Sequence, residues 1–142
     1  MPPKDHTPGS PADWLRYAYS DLKLAQMPAP AGVLLENLCF HAQQAAEKAI
    51  KAVLVAYGIS IPKTHNLRTL VDFLSETLAV PLEVQMAVGL TDYAVSARYP
   101  GVIEPVDERD HQEAISFAEA VVYWAEEIIE AKQEIDNMER QC

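Results

Sequence analysis

The side chains best equipped for chemistry in this chain are its histidines, its arginines and a short run of lysines. Cleaving RNA without a metal needs a base for the 2′-hydroxyl and a cation for the charge that develops on the phosphorane. The arginines stand at 16, 68, 98, 109 and 140 and the histidines at 6, 41, 65 and 111. Arg109 and His111 are the nearest such pair, but residues two apart on a helix do not share a face. Their neighbours Asp107, Glu108, Asp110 and Glu113 are acidic. Both are therefore expected on the surface of a helical first turn, and no catalytic residue is assigned.

Charge is spread unevenly. The net charge is −10, which argues against a surface built to grip duplex DNA. Between His41 and Arg68, however, Lys48, Lys51, Lys63 and Arg68 face one acid, Glu47. From Asp107 to Glu139 the balance is reversed, with Arg109 and Lys132 the only bases. Any anion site thus belongs to the middle of the chain. His41, Gln44, Lys48 and Lys51 fall on one helical stripe. One reading makes that stripe solvated or dimer-facing surface. The other makes it ligand- or partner-contacting, with His65, Lys48, Lys51 and Arg98 around an anion, since imidazolium and helix N-terminal amides both favour phosphate. Arg98 reads either as a helix C-terminal cation or as a fork aimed at phosphate or a partner's carboxylate. Tyr99 offers a stacking face or an interface contact.

No Gly-rich phosphate loop, HExxH, paired-carboxylate motif or Ser/His/Asp signature occurs. Cys39 and Cys142 have no ligand spacing, so neither a metal site nor a disulfide framework is expected, and no cofactor. No stretch is long and apolar enough to span a bilayer, and residues 1–12 lack an apolar signal region, which points to the cytoplasm.

The elements that position these residues read as all-α. Residues 1–12, rich in proline, predict a flexible leader. Asp13 is the expected N-cap of a first helix to about Met27, with Trp14, Tyr17, Leu22, Leu24 and Ala25 among its apolar members. A second helix, Val33 to Tyr57, carries Leu35, Leu38, Ala42, Ala45, Ala46, Ala49 and Val53 on one stripe and ends at Gly58. Glu36, Gln43 and Glu47 form its other flank. A third helix is expected from Thr64 or His65 to Leu78, a fourth from Pro81 to about Ala97, and a fifth from Asp107, fraying from about Lys132 so that residues 132–142 form a tail. No period-2 alternation appears. The expectation is an up-and-down antiparallel bundle of about five helices, one domain over 13–131. Ile115, Val122 and Ile129, beside the main apolar set of the last helix, suggest spare surface for a homodimer.

Three segments together resemble the HEPN family: Phe40-His-Ala-Gln-Gln-Ala-Ala-Glu-Lys-Ala-Ile-Lys-Ala-Val-Leu54, Thr64-His-Asn-Leu67 and Ala97-Arg-Tyr-Pro-Gly101. The resemblance spans about residues 13–130. It implies a helical bundle that usually dimerises and is often encoded beside a minimal nucleotidyltransferase, some such pairs acting as toxin and antitoxin. Other members are metal-independent ribonucleases with an Arg-x4–6-His motif. No arginine here is followed by a histidine at that spacing. The sequence therefore points to a binding and interaction module, partnered with a separate nucleotidyltransferase and with a nucleotide as a further candidate ligand. The alternative is a ribonuclease with a degenerate or displaced site.

Overall fold

The computed structural model describes residues 7–96 and 105–141. They form α1 (Pro11–Gln26), α2 (Leu35–Ala56), α3 (Leu67–Ser75), α4 (Leu82–Met86), a 3-10 turn (Ala87–Leu90), α5 (Thr91–Ser96) and α6 (Glu108–Arg140). No strand occurs among the described residues. The expected five helical segments are present, the fourth broken into α4, the 3-10 turn and α5.

Local chemistry fixes each end. Ser10, not Asp13, caps α1: its hydroxyl accepts from the Asp13 amide at 3.1 Å, and the Asp13 carboxylate accepts from the Gly9 amide at 3.1 Å. Pro11 occupies the first helical position, where its missing N–H costs nothing. The helix therefore begins inside the stretch expected to be leader. Between α1 and α2, the Val33 amide donates to the Pro30 carbonyl in a tight turn, with Gly32 at φ 81°. α2 closes in a Schellman motif: Ile59 N–H reaches the Leu54 carbonyl, Gly58 N–H reaches Val55, and Gly58 adopts φ 70°. Asp107 and Asp110 form a reciprocal capping box at the start of α6.

α2 is the hub and packs against α1, α3, α5 and α6. Ala42, Ala45, Ala46, Ala49 and Ala52 are fully buried, and their small side chains let neighbouring helices approach closely. Leu15 and Leu22 of α1, Leu67, Leu70 and Leu74 of α3, and Ile129 of α6 complete the core. Each such large side chain contributes about 1.5–3 kcal/mol by leaving water. Cross-contacts reveal direction. Trp14 faces Lys51, and Tyr17 faces Lys48, so α1 and α2 are antiparallel. Ala25 meets His111 and Tyr19 meets Tyr123, so α1 and α6 are antiparallel too. Glu36 bonds the Val106 amide and Lys132 stands over Tyr57, so α6 runs alongside α2 in the same sense.

Several expectations need correcting. Tyr17 and Leu24 are exposed, while Leu15, Ala18 and Asp21 supply the inner face of α1. α3 starts only after Asn66, whose side chain accepts from the Arg68 and Thr69 amides, and it ends by Ser75. Ile115, Val122 and Ile129 are buried within the protomer, so they leave no spare apolar surface. α6 is helical past Lys132 as far as Arg140, with a Lys132–Asp136 ion pair at 2.7 Å one turn apart.

His111 is the sharpest correction. It is 2 % exposed, and its Nε2 lies 2.6 Å from the Ala25 carbonyl. A carbonyl only accepts, so Nε2 carries the hydrogen. The ring satisfies an otherwise orphaned carbonyl in the last turn of α1 and ties it to the start of α6. Nδ1 makes no hydrogen bond; the Glu108 carboxylate lies 3.5 Å from it, beyond good bonding range. His111 shares its helical face with buried Ala114, Ile115 and Ala118, which is the register that places it inside.

Candidate functional site

The basic strip of the sequence is organised by two carboxylates, Asp21 and Glu47. Asp21 lies on the inner face of α1 between Ala18 and Ala25, and packing against α2 brings it beside Lys48 and His41. Lys48 Nζ donates to its Oδ2 at 2.6 Å, and His41 Nδ1 donates to its Oδ1 at 2.9 Å. Lys48 also stands 5.8 Å from the centre of the Tyr17 ring, whose other neighbour is the Arg16 guanidinium at 5.0 Å. Arg16 itself is paired with Asp13 at 2.8 Å, which pushes its pKa up.

Glu47 sits deeper, its side chain 3 % exposed. Lys51, one turn along α2, donates to its Oε2 at 2.9 Å and is itself only 10 % exposed, with its ammonium 5.7 Å from the Trp14 ring. Gln43, one turn back and fully buried, donates from Nε2 to Glu47 Oε1 at 3.0 Å and to the His65 carbonyl at 3.2 Å. Gln44 donates to Gln43 Oε1 at 2.7 Å. His65 arrives from the α2–α3 connection and donates from Nδ1 to both Glu47 oxygens at 3.1 Å. Its side chain remains 61 % exposed.

The predicted residues therefore form a polar belt along α2 in two groups, His41 and Lys48 on Asp21 and Lys51, His65 and (through Gln43) Gln44 on Glu47, rather than a row of free cations. Each of these lysines and histidines is bonded to one of the two carboxylates. Arg98 and Tyr99 lie outside the described residues, as do the rest of the Ala97–Gly101 segment and Cys142. Sequence reasoning set Gln43 and Glu47 on a separate flank and passed over Asp21. The available signal was register: Asp21 recurs three or four residues from Ala18 and Ala25, and Gln43, Glu47 and Lys51 are spaced four apart.

Chemically, both histidines are held by carboxylates at Nδ1, which fixes the tautomer and leaves Nε2 as the accepting edge when the ring is neutral. That supplies a base. It does not supply a second, unneutralised cation, because Lys48 and Lys51 are bonded to the same carboxylates that hold the rings. Cys39 is fully buried, and burial pushes its thiol up to about 12 from an ordinary 9.0, so it stays protonated and inert. Tyr93 is likewise pushed up to about 12 by burial. Among the described residues, no three His, Cys, Asp or Glu side chains cluster as metal ligands, and no helix is long and apolar enough to cross a membrane.

The fold defines an all-helical bundle whose central helix carries a carboxylate-ordered polar belt. The HEPN domain model matches residues 11–128, and the chain belongs to the HEPN-domain family. Two solved structures are similar to it, each 30 % identical and each match covering 84 % of this chain and 98 % of the other. They are TT1696 from Thermus thermophilus, with a TM-score of 0.74, and ST0689, an archaeal HEPN homologue, with a TM-score of 0.68. No curated protein matches the chain.

Proposed function

We propose that this protein is a non-catalytic HEPN interaction module, working in the cytoplasm, that recognises a protein partner through the α1–α2 belt. The family resemblance makes a minimal nucleotidyltransferase the partner of choice, with a toxin–antitoxin pair as the biological setting. The observation that carries the reading is the pairing of Lys48 with Asp21 and of Lys51 with Glu47. Neutralised cations attract a polyphosphate weakly, whereas a preorganised belt of donors and acceptors suits a protein surface. Beside it stand Arg16, half-exposed Tyr17 and Trp14, the residue types that dominate protein–protein binding energy. A nucleotide is the weaker candidate ligand. A ribonuclease reading is weaker still, since the Arg-x4–6-His spacing is absent and buried His111 cannot reach RNA.

Self-association belongs to the same proposal. The surface that supports it is the α1–α2 turn, where Leu24, Met27, Val33 and Leu34 are exposed. Sedimentation equilibrium should give a dimer mass that Leu34→Glu reduces to a monomer.

The partner is tested by titrating the nucleotidyltransferase encoded in the neighbouring reading frame into wild type, Tyr17→Ala and Lys48→Ala. Saturable binding weakened at least about tenfold by Tyr17→Ala is expected. Affinity unchanged in both variants would remove the belt from the interface.

A further inference from the structure

The last helix outruns the family match. The match to the HEPN domain ends at residue 128, yet α6 continues as helix to Arg140. Ile129 is its last buried residue. Residues 129–140, past the end of the match, extend for about 18 Å at roughly 1.5 Å each.

That extension carries an apolar seam of its own. Phe117, Val121, Trp124, Ile128, Ala131, Ile135 and Met138 follow one another at alternating spacings of four and three, the a/d pattern of a coiled coil. Within the bundle Val121 is buried, and Phe117, Trp124 and Ile128 are partly covered by the core. Past the bundle the same seam emerges into solvent, with Ile135 53 % exposed and Met138 67 % exposed. A soluble helix end needs no apolar residues in strict register with the seam above it, since a polar end is favoured there.

The flanks of the seam select its occupant. Glu127 and Glu134 line one side and Glu139 the other, all exposed. Lys132, the one base between them, is taken by Asp136 at 2.7 Å. A second copy of this helix fits poorly. Antiparallel pairing would set Glu127 and Glu134 against their own kind, and parallel pairing would oppose Glu134 to Glu139. We propose that the α6 extension is a docking helix for a basic amphipathic helix of another protein, which would bury its apolar face on Ile128, Ile135 and Met138 and pair lysines or arginines with the flanking glutamates. This surface is separate from the α1–α2 belt and stands or falls independently of it.

The probe is a synthetic three-heptad peptide with leucine at the a and d positions and lysine at e and g, read by fluorescence anisotropy at physiological salt. A matched peptide with glutamate at e and g is the control. Saturable binding of the lysine peptide and none of the glutamate peptide is expected. Ile135→Glu and the double variant Glu127→Lys/Glu134→Lys should each weaken binding about tenfold or more. Both changes are on exposed helix, so thermal unfolding of the variants should match wild type. Absence of binding, or binding that both variants retain, would overturn the proposal. So would sedimentation equilibrium showing wild-type self-association abolished by Ile135→Glu, because a second copy would then occupy the seam.

Discussion

Asp21 and Glu47 do the same job by different means, and the difference sets what each contributes. Asp21 belongs to α1 and reaches across to Lys48 and His41 of α2, so its bonds exist only once the two helices dock. Its partners keep part of their side-chain surface in water, 23 % for Lys48 and 33 % for His41. Glu47 gathers Gln43 and Lys51 from its own helix and adds His65 from the following connection. Water reaches His65 but hardly reaches the other three. A buried carboxylate–ammonium pair stabilises weakly as a whole, yet breaking it from one side strands a charge. The deeper node is thus the costlier one to damage.

The largest effect is expected from Glu47→Leu. Lys51 would lose its counter-ion in a nearly dry site, and Gln43 would lose an acceptor. The loss should be about 3–5 kcal/mol in urea unfolding. Adding Lys51→Met should return much of it, because the stranded ammonium is the main cost. If the double variant is as unstable as the single one, the buried pair is not what the mutation breaks.

Asp21→Asn should cost less, about 1–2 kcal/mol, since Lys48 and His41 can turn toward solvent. An effect as large as that of Glu47→Leu would erase the contrast between the nodes. His65→Ala should fall below about 1 kcal/mol, because exposed charged contacts are screened. Glu47 would keep Lys51 and Gln43. A larger loss would mean that His65 holds the α2–α3 connection in place rather than decorating it.

Much of this architecture was legible in the residues. Alanines at 42, 45, 46 and 49 announced a close-packed central helix, Gly58 announced its end, and Asp107 announced the start of α6. The fourth segment was harder. Its apolar residues fit one continuous helix, but the 3-10 turn at Ala87–Leu90 tightens the chain there and carries Gly89, a weak helix former. Of the candidate site residues, His41 and Lys48 lie on Asp21, while Lys51 and His65 lie on Glu47, with Gln44 reaching it through Gln43. Their carboxylate partners are less legible: Asp21 lies on another helix and meets Lys48 and His41 only after docking, and Glu47 shares α2 with Lys51 but falls on its other flank. His111 was misplaced for the opposite reason. Its acidic neighbours suggested surface, while its register with Ala114 and Ala118 carried it into the core.

The proposed preference of the belt for protein over polyphosphate rests on the pairing of Lys48 with Asp21 and of Lys51 with Glu47. Calorimetric titration of ATP into wild type, Asp21→Asn and Lys48→Ala tests it directly. The account predicts no saturable binding to wild type below about millimolar ATP. It also predicts a gain in Asp21→Asn, where Lys48 and His41 are released from their carboxylate. Micromolar binding of ATP by the wild type, abolished by Lys48→Ala, would contradict it.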